Sequence, residues 1–227
     1  GLLTLVTIFV NPSQFNKKKD YKKYPRNIKK DLAILKKINP NYVFLPKFKD
    51  ISKFRKNKTL KLNKFHKILC GKFRPGHFQG VLKIIDIFLN LISPKYIFLG
   101  EKDYQQLFLI KTFIKKKYST KIVNCKTIRN KSGFALSTRN KLLNNKELIL
   151  GSKVYKIIKK FKKKINYSNY KKIINNLKKD IYALGISKIE YLSLIDIDRN
   201  IYFNKNSKKY KLFIAYYINK IRFIDNI

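Results

Sequence analysis

Cysteine is nearly absent. Cys70 and Cys125 are the only two in 227 residues, too few for a disulfide scaffold, and they point to a reducing compartment. No apolar run approaches the ~18 residues of a membrane span, so a membrane-embedded protein is excluded. Gly1–Val10 is apolar but has neither a basic stretch before it nor a small-residue cleavage site, and reads poorly as a secretory signal. Methionine and tryptophan are missing altogether, and without Met at position 1 the sequence is expected not to begin where translation begins. Glycine is scarce, with 8 residues, and no Walker-type or dinucleotide glycine loop occurs. The two histidines, His66 and His77, form no cluster of zinc spacing with the cysteines. Acidic residues number 12 against 54 basic ones, a formal net charge of +42.

What is present is a hydrophobic fraction of 44%, enough for a real core and against wholesale disorder. A charge of this size usually suggests a nucleic-acid partner. Here only seven basic residues are arginine (26, 55, 74, 129, 139, 199 and 222); the rest are lysine. Asn, Ile, Tyr and Phe are abundant too, and these share AT-rich codons with Lys. The lysines are spread along the chain, whereas phosphate-binding surfaces gather charge into a patch or stripe. Coding bias therefore accounts for the charge, and no specific nucleic-acid partner is expected. The Lys runs at 17–19, 115–117 and 162–164 read as solvated faces.

The first 140 residues alternate strands and helices. Strands are expected at Leu2–Val10, Tyr42–Leu45, Tyr96–Leu99 and Lys121–Cys125, and helices at Ile28–Ile38, Val81–Ile92 and Tyr104–Lys115. Lys47–Lys72 looks irregular. This alternation predicts an α/β fold with a parallel sheet. After about Asn145 it gives way to two lysine-rich helices (146–164 and 169–184) and strands at Ile189–Ile195, Leu212–Ile218 and Arg222–Ile224, an α+β unit. The predicted domains are 1–142 and 143–227.

In such sheets ligands bind beyond the carboxyl ends of strands, and three polar clusters fall there. Asn11-Pro12-Ser13-Gln14-Phe15 offers neutral amides that suit a hydroxyl or carboxylate, or else simple turn chemistry. Gly100-Glu101-Lys102-Asp103-Tyr104-Gln105-Gln106 sets a lysine at a helix start, which attracts phosphate. Asp103 suits a ribose or a helix cap, and Gln106 shares its helix face. Ser132–Asn140 contains Ser137, Thr138 and Arg139, fit for a polyphosphate or for an N-cap followed by an exposed arginine. His77 is either a site residue or a satisfied turn residue, and His66 is expected to be solvated.

In order, the chain carries TIFVNPSQF (7–15), YPRNIKKDL (24–32), RPGHFQGV (74–81), GEKDYQQL (100–107), GFALSTRN (133–140), IEYLSLID (189–196) and RFIDNI (222–227). Together these resemble the pantoate–β-alanine ligase (pantothenate synthetase) family over nearly the whole chain. The resemblance implies a Rossmann-like nucleotidyltransferase domain with a C-terminal lid. It also implies condensation of pantoate with β-alanine to pantothenate through a pantoyl adenylate, using ATP with Mg²⁺, in a cytoplasmic homodimer. Carried over by motif, Gln14 and Gln106 bind pantoate, and Arg74 and His77 lie near the pocket. Gly100, Glu101, Lys102 and Asp103 contact ATP, Lys102 on phosphate and Asp103 on ribose. Ile128 meets adenine through its backbone, and Leu136, Ser137, Thr138 and Arg139 form the phosphate loop. Lys102, Ser137 and Arg139 are the catalytic candidates.

Four departures accompany the likeness, one being Lys30 before Asp31, where an acidic neighbour is common, which tells against a metal role for Asp31. The family's His-x-Gly-His element is not in this sequence, roughly 50 residues being absent by family comparison, so the 227-residue chain is expected to be weakly active or inactive. Thr138 stands for the usual second serine and keeps the hydroxyl. Cys70 stands where a glutamate is usual. Two rival readings follow: a non-catalytic remnant of the enzyme, and a basic nucleic-acid-binding protein.

Overall fold

Two βαβ passages carry the parallel strands. In the first, β1 (Leu5–Thr7), α1 (Ile28–Ile38) and β2 (Tyr42–Phe44) place Leu5 opposite Tyr42 in parallel register. Asn27 starts α1 by accepting the Lys30 amide, and Asn39, at φ 54°, ends it before Pro40. A left-handed residue followed by proline is an efficient stop. After α2 (Phe48–Ser52) and α3 (Cys70–Phe73) comes α4 (His77–Ile92). The second passage is β3 (Tyr96–Gly100), α5 (Tyr104–Lys115) and β4 (Lys121–Cys125), with Tyr96 opposite Lys121 and Gly100 opposite Cys125. The remainder is α6 (Asn145–Lys162), α7 (Tyr170–Ala183), β5 (Lys188–Asp196), β6 (Ile201–Tyr202), β7 (Tyr210–Ile218) and β8 (Ile221–Asn226). The structure is a computed structural model and describes residues 1–15, 21–22, 24–54 and 60–227. The lysine run at 17–19 and Arg55 lie outside the described residues.

The chain forms two compact units, Gly1–Lys61 with Arg74–Lys95, and Leu62–Phe73 with Tyr96–Ile227. These are cut at other places than the 142/143 boundary read from the change of pattern. In the first unit Ile51, Ile84 and Ile87 are buried together, with Phe9 and Phe88 packed against them, and Phe78, Val81, Leu82 and Leu89 of α4 are buried as well. The Phe88 ring meets the edges of Phe9 and Phe44 at 6.1 and 5.7 Å. α1 buries none of its residues.

In the second unit β5 to β8 form an antiparallel sheet in the order β6-β5-β7-β8. A strand's side chains alternate between faces, and here both faces are apolar. Leu192, Leu194, Leu212, Ile214, Tyr216 and Ile218 pack with Val154 and Ile158 of α6 and with Leu177 and Ile181 of α7. The intervening Phe213 and Ile195 pack with Phe65 and Leu69. That double burial is why β7 reads as an unbroken apolar run rather than an alternating one.

Most expected elements stand where they were read; the differences have local causes. β1 keeps only three residues of the apolar run Leu2–Val10. α4 begins at His77 rather than Val81, because Gly76 at φ 77° turns the chain straight into the helix. The stretch Lys47–Lys72, read as irregular, holds α2, a 3-10 turn at Lys64–Lys67 and α3; each is too short to show a period. β6, two residues long, left no signal. The parallel strands form two two-stranded sheets, β1-β2 and β3-β4, not one. Among the described residues no helix is long and apolar enough to cross a membrane.

Candidate functional site

In the first unit, Asn11 closes the turn after β1. Its side chain accepts the Ser13 amide at 3.0 Å and donates to the Gly80 carbonyl of α4 at 3.0 Å. Asn11 is buried, so both bonds are made away from water. A Cβ on Gly80 would stand 2.5 Å from the Ser13 carbonyl oxygen, so only glycine lets this turn lie so close on α4. Asn11 and Ser13 thus do turn work, and the 3-10 turn Pro12–Gln14 carries Gln14 at its end. Arg74 and His77 are brought together across the start of α4. Arg74 Nη1 lies 3.2 Å from His77 Nε2. A guanidinium only donates, so in this contact His77 Nε2 is the acceptor. His77 is buried, a satisfied residue at a helix start.

In the second unit, the carboxyl ends of the paired strands β3 and β4 emerge side by side. β3 leads into the 3-10 turn Glu101–Asp103, which runs into α5. Gly100 is extended, at φ −75°, and nothing lies within 4 Å of where its Cβ would be. Neither backbone strain nor crowding requires glycine here, and the open space admits a ligand close to the main chain. Lys102 Nζ lies 3.7 Å from Asp103 Oδ2, and the Asp103 side chain is about half exposed, at 48%. Asp103 sits at the N-cap of α5 yet makes no capping hydrogen bond. Of its two readings, the cap is therefore not used. The two adjacent glutamines divide. Gln105 is buried and donates to the carbonyls of Phe65 and Ile68 at 2.7 Å each. Gln106 is half-buried, one helical turn from Asp103.

β4 continues into a second loop. The amide of Leu136 donates to the carbonyl of Ile128 at 2.9 Å, and Arg129 and Ala135 form an antiparallel bridge. Ile128 and Leu136 are exposed, at 68% and 50%, unusual for large apolar side chains. A contact from the Ile128 carbonyl to a base would use its second lone pair. Ser137 caps the 3-10 turn Thr138–Leu142, its Oγ accepting the Arg139 amide at 3.0 Å. Thr138 is exposed and Arg139 half-buried. The loop is rooted on α6. Phe134 is buried against Gly151, where a Cβ would come within 2.7 Å of its ring, and Ser132 Oγ meets Ser152 Oγ at 2.8 Å.

Several residues that hold these loops escaped the sequence reading. Arg129 donates to Asp225 with two nitrogens, at 2.6 and 2.8 Å, and to the Gly133 carbonyl at 3.1 Å. It also lies over the Tyr155 ring, 4.2 Å from the centroid. Burial works against the Arg129 charge, but the Asp225 hydrogen bond and charge outweigh it and raise the pKa. Asn226 Nδ2 donates to the carbonyls of both Glu101 and Lys102 at 2.9 Å. The available signal was scarcity, since in a chain so rich in lysine each arginine stands out. His66, expected to be solvated, is half-buried with Nδ1 2.7 Å from the Asn63 carbonyl. Cys70 is buried, its Sγ 3.0 Å from Tyr191 Oη and 3.5 Å from Arg222 Nη2. Arg222 is in turn paired to Glu190 at 2.5 Å. The departure at Cys70 thus falls on a structural cluster. No group of three or more His, Cys, Asp or Glu side chains that could hold a metal occurs among the described residues.

Comparison with known proteins places the chain in a family. A sequence profile described as pantoate-beta-alanine ligase matches residues 2–227. The pantothenate synthetase of Francisella tularensis subsp. mediasiatica (strain FSC147) is 36% identical over 228 residues, which is 99% of this chain and 78% of the relative. That of Endomicrobium trichonymphae is also 36% identical, over 231 residues, 99% of this chain and 80% of the relative. A crystal structure of pantoate-beta-alanine ligase from Francisella tularensis, complexed with beta-gamma ATP and beta-alanine, superposes with a TM-score of 0.78. It is 35% identical, over 99% of this chain and 78% of that one. The enzyme from Thermus thermophilus superposes with a TM-score of 0.88 at 24% identity, covering 99% of this chain and 83% of that one, a likeness of fold.

Proposed function

This chain belongs to the pantoate–β-alanine ligase family, C–N bond-forming enzymes of Rossmann-like α/β fold, and from that premise we propose how it acts. It joins pantoate to β-alanine, giving pantothenate, with ATP cleaved to AMP and pyrophosphate. The observation that carries the reading is the turn after β3, where open space at Gly100, an ammonium at Lys102 and a non-capping carboxylate at Asp103 stand together at a strand's carboxyl end.

In the first step a pantoate carboxylate oxygen attacks the α-phosphorus, and pyrophosphate leaves with the electron pair of the broken P–O bond. Gln14 and Gln106 orient pantoate through neutral amides, which bind its hydroxyls and carboxylate without lowering the nucleophile's charge. Lys102 neutralises charge on the phosphates, and Asp103 accepts from the ribose hydroxyls. Ser137 and Thr138 offer hydroxyl donors and Arg139 a multi-donor guanidinium to the departing pyrophosphate. Ile128 addresses adenine. In the second step the amine of β-alanine attacks the acyl carbon of the adenylate, AMP leaves, and the amine loses a proton. Arg74 and His77 are assigned to substrate binding by the family motif that holds them. The sequence division into a catalytic domain, 1–142, and a lid, 143–227, belongs to this reading, as do a homodimer and a cytoplasmic location.

Mg²⁺ fits on one condition. The chain offers no cage of three ligands among the described residues, so the ion would arrive on the triphosphate. That is the usual way Mg²⁺ is held with nucleotides. When bound it supplies charge neutralisation on the phosphate oxygens.

The test is product analysis with ATP, pantoate and β-alanine. Pantothenate and AMP should form in equal amounts, and pantoate alone should support exchange of labelled pyrophosphate into ATP. Lys102→Ala should lower kcat/KM about 100-fold. Formation of ADP, or exchange that needs no pantoate, would sink the reading.

A further inference from the structure

We propose that Asn226 is a positioning residue for the nucleotide, holding the Lys102 turn in its binding shape from the far strand of the antiparallel sheet. The inference rests on the function proposed above. The turn Glu101–Asp103 is a single 3-10 turn, and such turns have poor hydrogen-bond geometry and little capacity to define themselves. Something else must fix where Lys102 and Asp103 stand. Asn226 does so with one amide group. Its Nδ2 donates to two successive carbonyls, Glu101 and Lys102, at 2.9 Å each. In a trans peptide the C=O and the next N–H point in opposite directions. With both carbonyls drawn toward β8, the two peptide planes that flank Lys102 are fixed in orientation. The place from which the Lys102 ammonium would meet a nucleotide is set with them.

Asn226 is itself held. Its Oδ1 accepts from Lys211 Nζ at 3.1 Å, its main-chain amide donates to Asp225 Oδ1 at 2.8 Å, and it is 5% exposed. The side chain is thereby fixed with its amide nitrogen toward the turn. The preceding residue does the corresponding work on the neighbouring loop. Asp225 grips Arg129, which holds the Gly133 carbonyl at the root of the Ser137–Arg139 segment. One strand end therefore serves both strand-end loops of this unit.

The experiment compares the unsubstituted chain with Asn226→Ala, Asn226→Asp and Asn226→Gln by ATP titration calorimetry, KM for each substrate, thermal melting and amide hydrogen exchange over residues 101–103. Removing two hydrogen bonds should weaken ATP binding about tenfold and speed exchange in the turn. KM for β-alanine and exchange in β7 should be unchanged. Asn226→Asp, which sets a carboxylate against two carbonyls, should lose more; Asn226→Gln, which keeps the amide donor, should recover part of the loss. A merely structural Asn226 would lower the melting temperature and the active fraction while leaving every KM alone, and that pattern overturns the inference. So does unaltered ATP affinity or exchange in both Asn226→Ala and Asn226→Asp. If Asn226→Ala does not fold, Asn226→Gln decides by the same readouts. If the unsubstituted chain itself binds no ATP, the nucleotide reading fails first, and this inference falls with it.

Discussion

The β1–β2 region and the β5–β7–β8 region spend the same kinds of residue on different ends. The first has three-residue strands and a helix, α1, that buries nothing. Leu32, Ile34 and Ile38 lie exposed along it. The second has two nine-residue strands apolar on both faces and a core that takes in two helices. Stability is therefore unevenly placed, concentrated where no candidate catalytic side chain sits. The candidate residues ride on short turns fastened to strand ends: Asn11 and Gly80 fasten the Gln14 turn, while Asp225 and Asn226 fasten the loops after β3 and β4. Candidate loops with little structure of their own take their shape from the packed elements they are fastened to.

The contrast breaks most sharply at Asp225. Replacing it with alanine strands the Arg129 charge, whose side chain is 19% exposed, and should cost about 3–5 kcal/mol. Denaturant unfolding followed by circular dichroism would show it; a loss below about 1 kcal/mol would mean that the pair only decorates the fold. A second probe is acid. Burial works against the Asp196 carboxylate, but the Arg199 amide and guanidinium, Ser207 and the Asp198 amide hold its pKa at about 2. In the unfolded chain an aspartate titrates near ~3.9. The folded state thus binds its proton later, and the stability it contributes is complete above that value and disappears as pH falls toward about 2. Melting temperatures of Asp196→Asn and the unsubstituted chain should converge over that window and stand apart above it; parallel curves would refute the assignment. The smallest effect belongs to the thin region. Leu32, 37% exposed on α1, should cost only about 0.5 kcal/mol on replacement by alanine. A core-sized loss would show that α1 is packed against something in solution.

The sequence was most readable where local signals govern. α1, α5 and β4 run between the expected residues, because caps, proline stops and helical spacing act over a few positions. The alternation of strands and helices announced the parallel pairings. The loops bearing Lys102, Asp103 and Ser137–Arg139 could be placed at strand ends for the same reason. What could not be read was long-range. Nothing local in RFIDNI shows that Asp225 grips Arg129 or that Asn226 reaches two carbonyls 125 and 124 positions away. Nor does spacing tell that Gln105 is buried in structure while its neighbour Gln106 lies half-buried on another side of the helix. Whether Asp103 caps α5 depended on a side-chain direction that spacing leaves open. Short elements such as α2, α3 and β6 have too few residues for any period to emerge.

The Asn226 clamp has a consequence in time. Residues emerge from the ribosome in order, and the turn after β3 is made more than a hundred residues before the side chain that shapes it. Contacts of such sequence separation form late, because the chain between must first be ordered. β3, α5 and β4 can assemble while synthesis continues, but the Lys102 turn takes its final form only when β8 docks. Completion of the last strand thus becomes the event that fastens the Lys102 turn, and a chain cut short before it would carry the loops without the fastening that sets their shape.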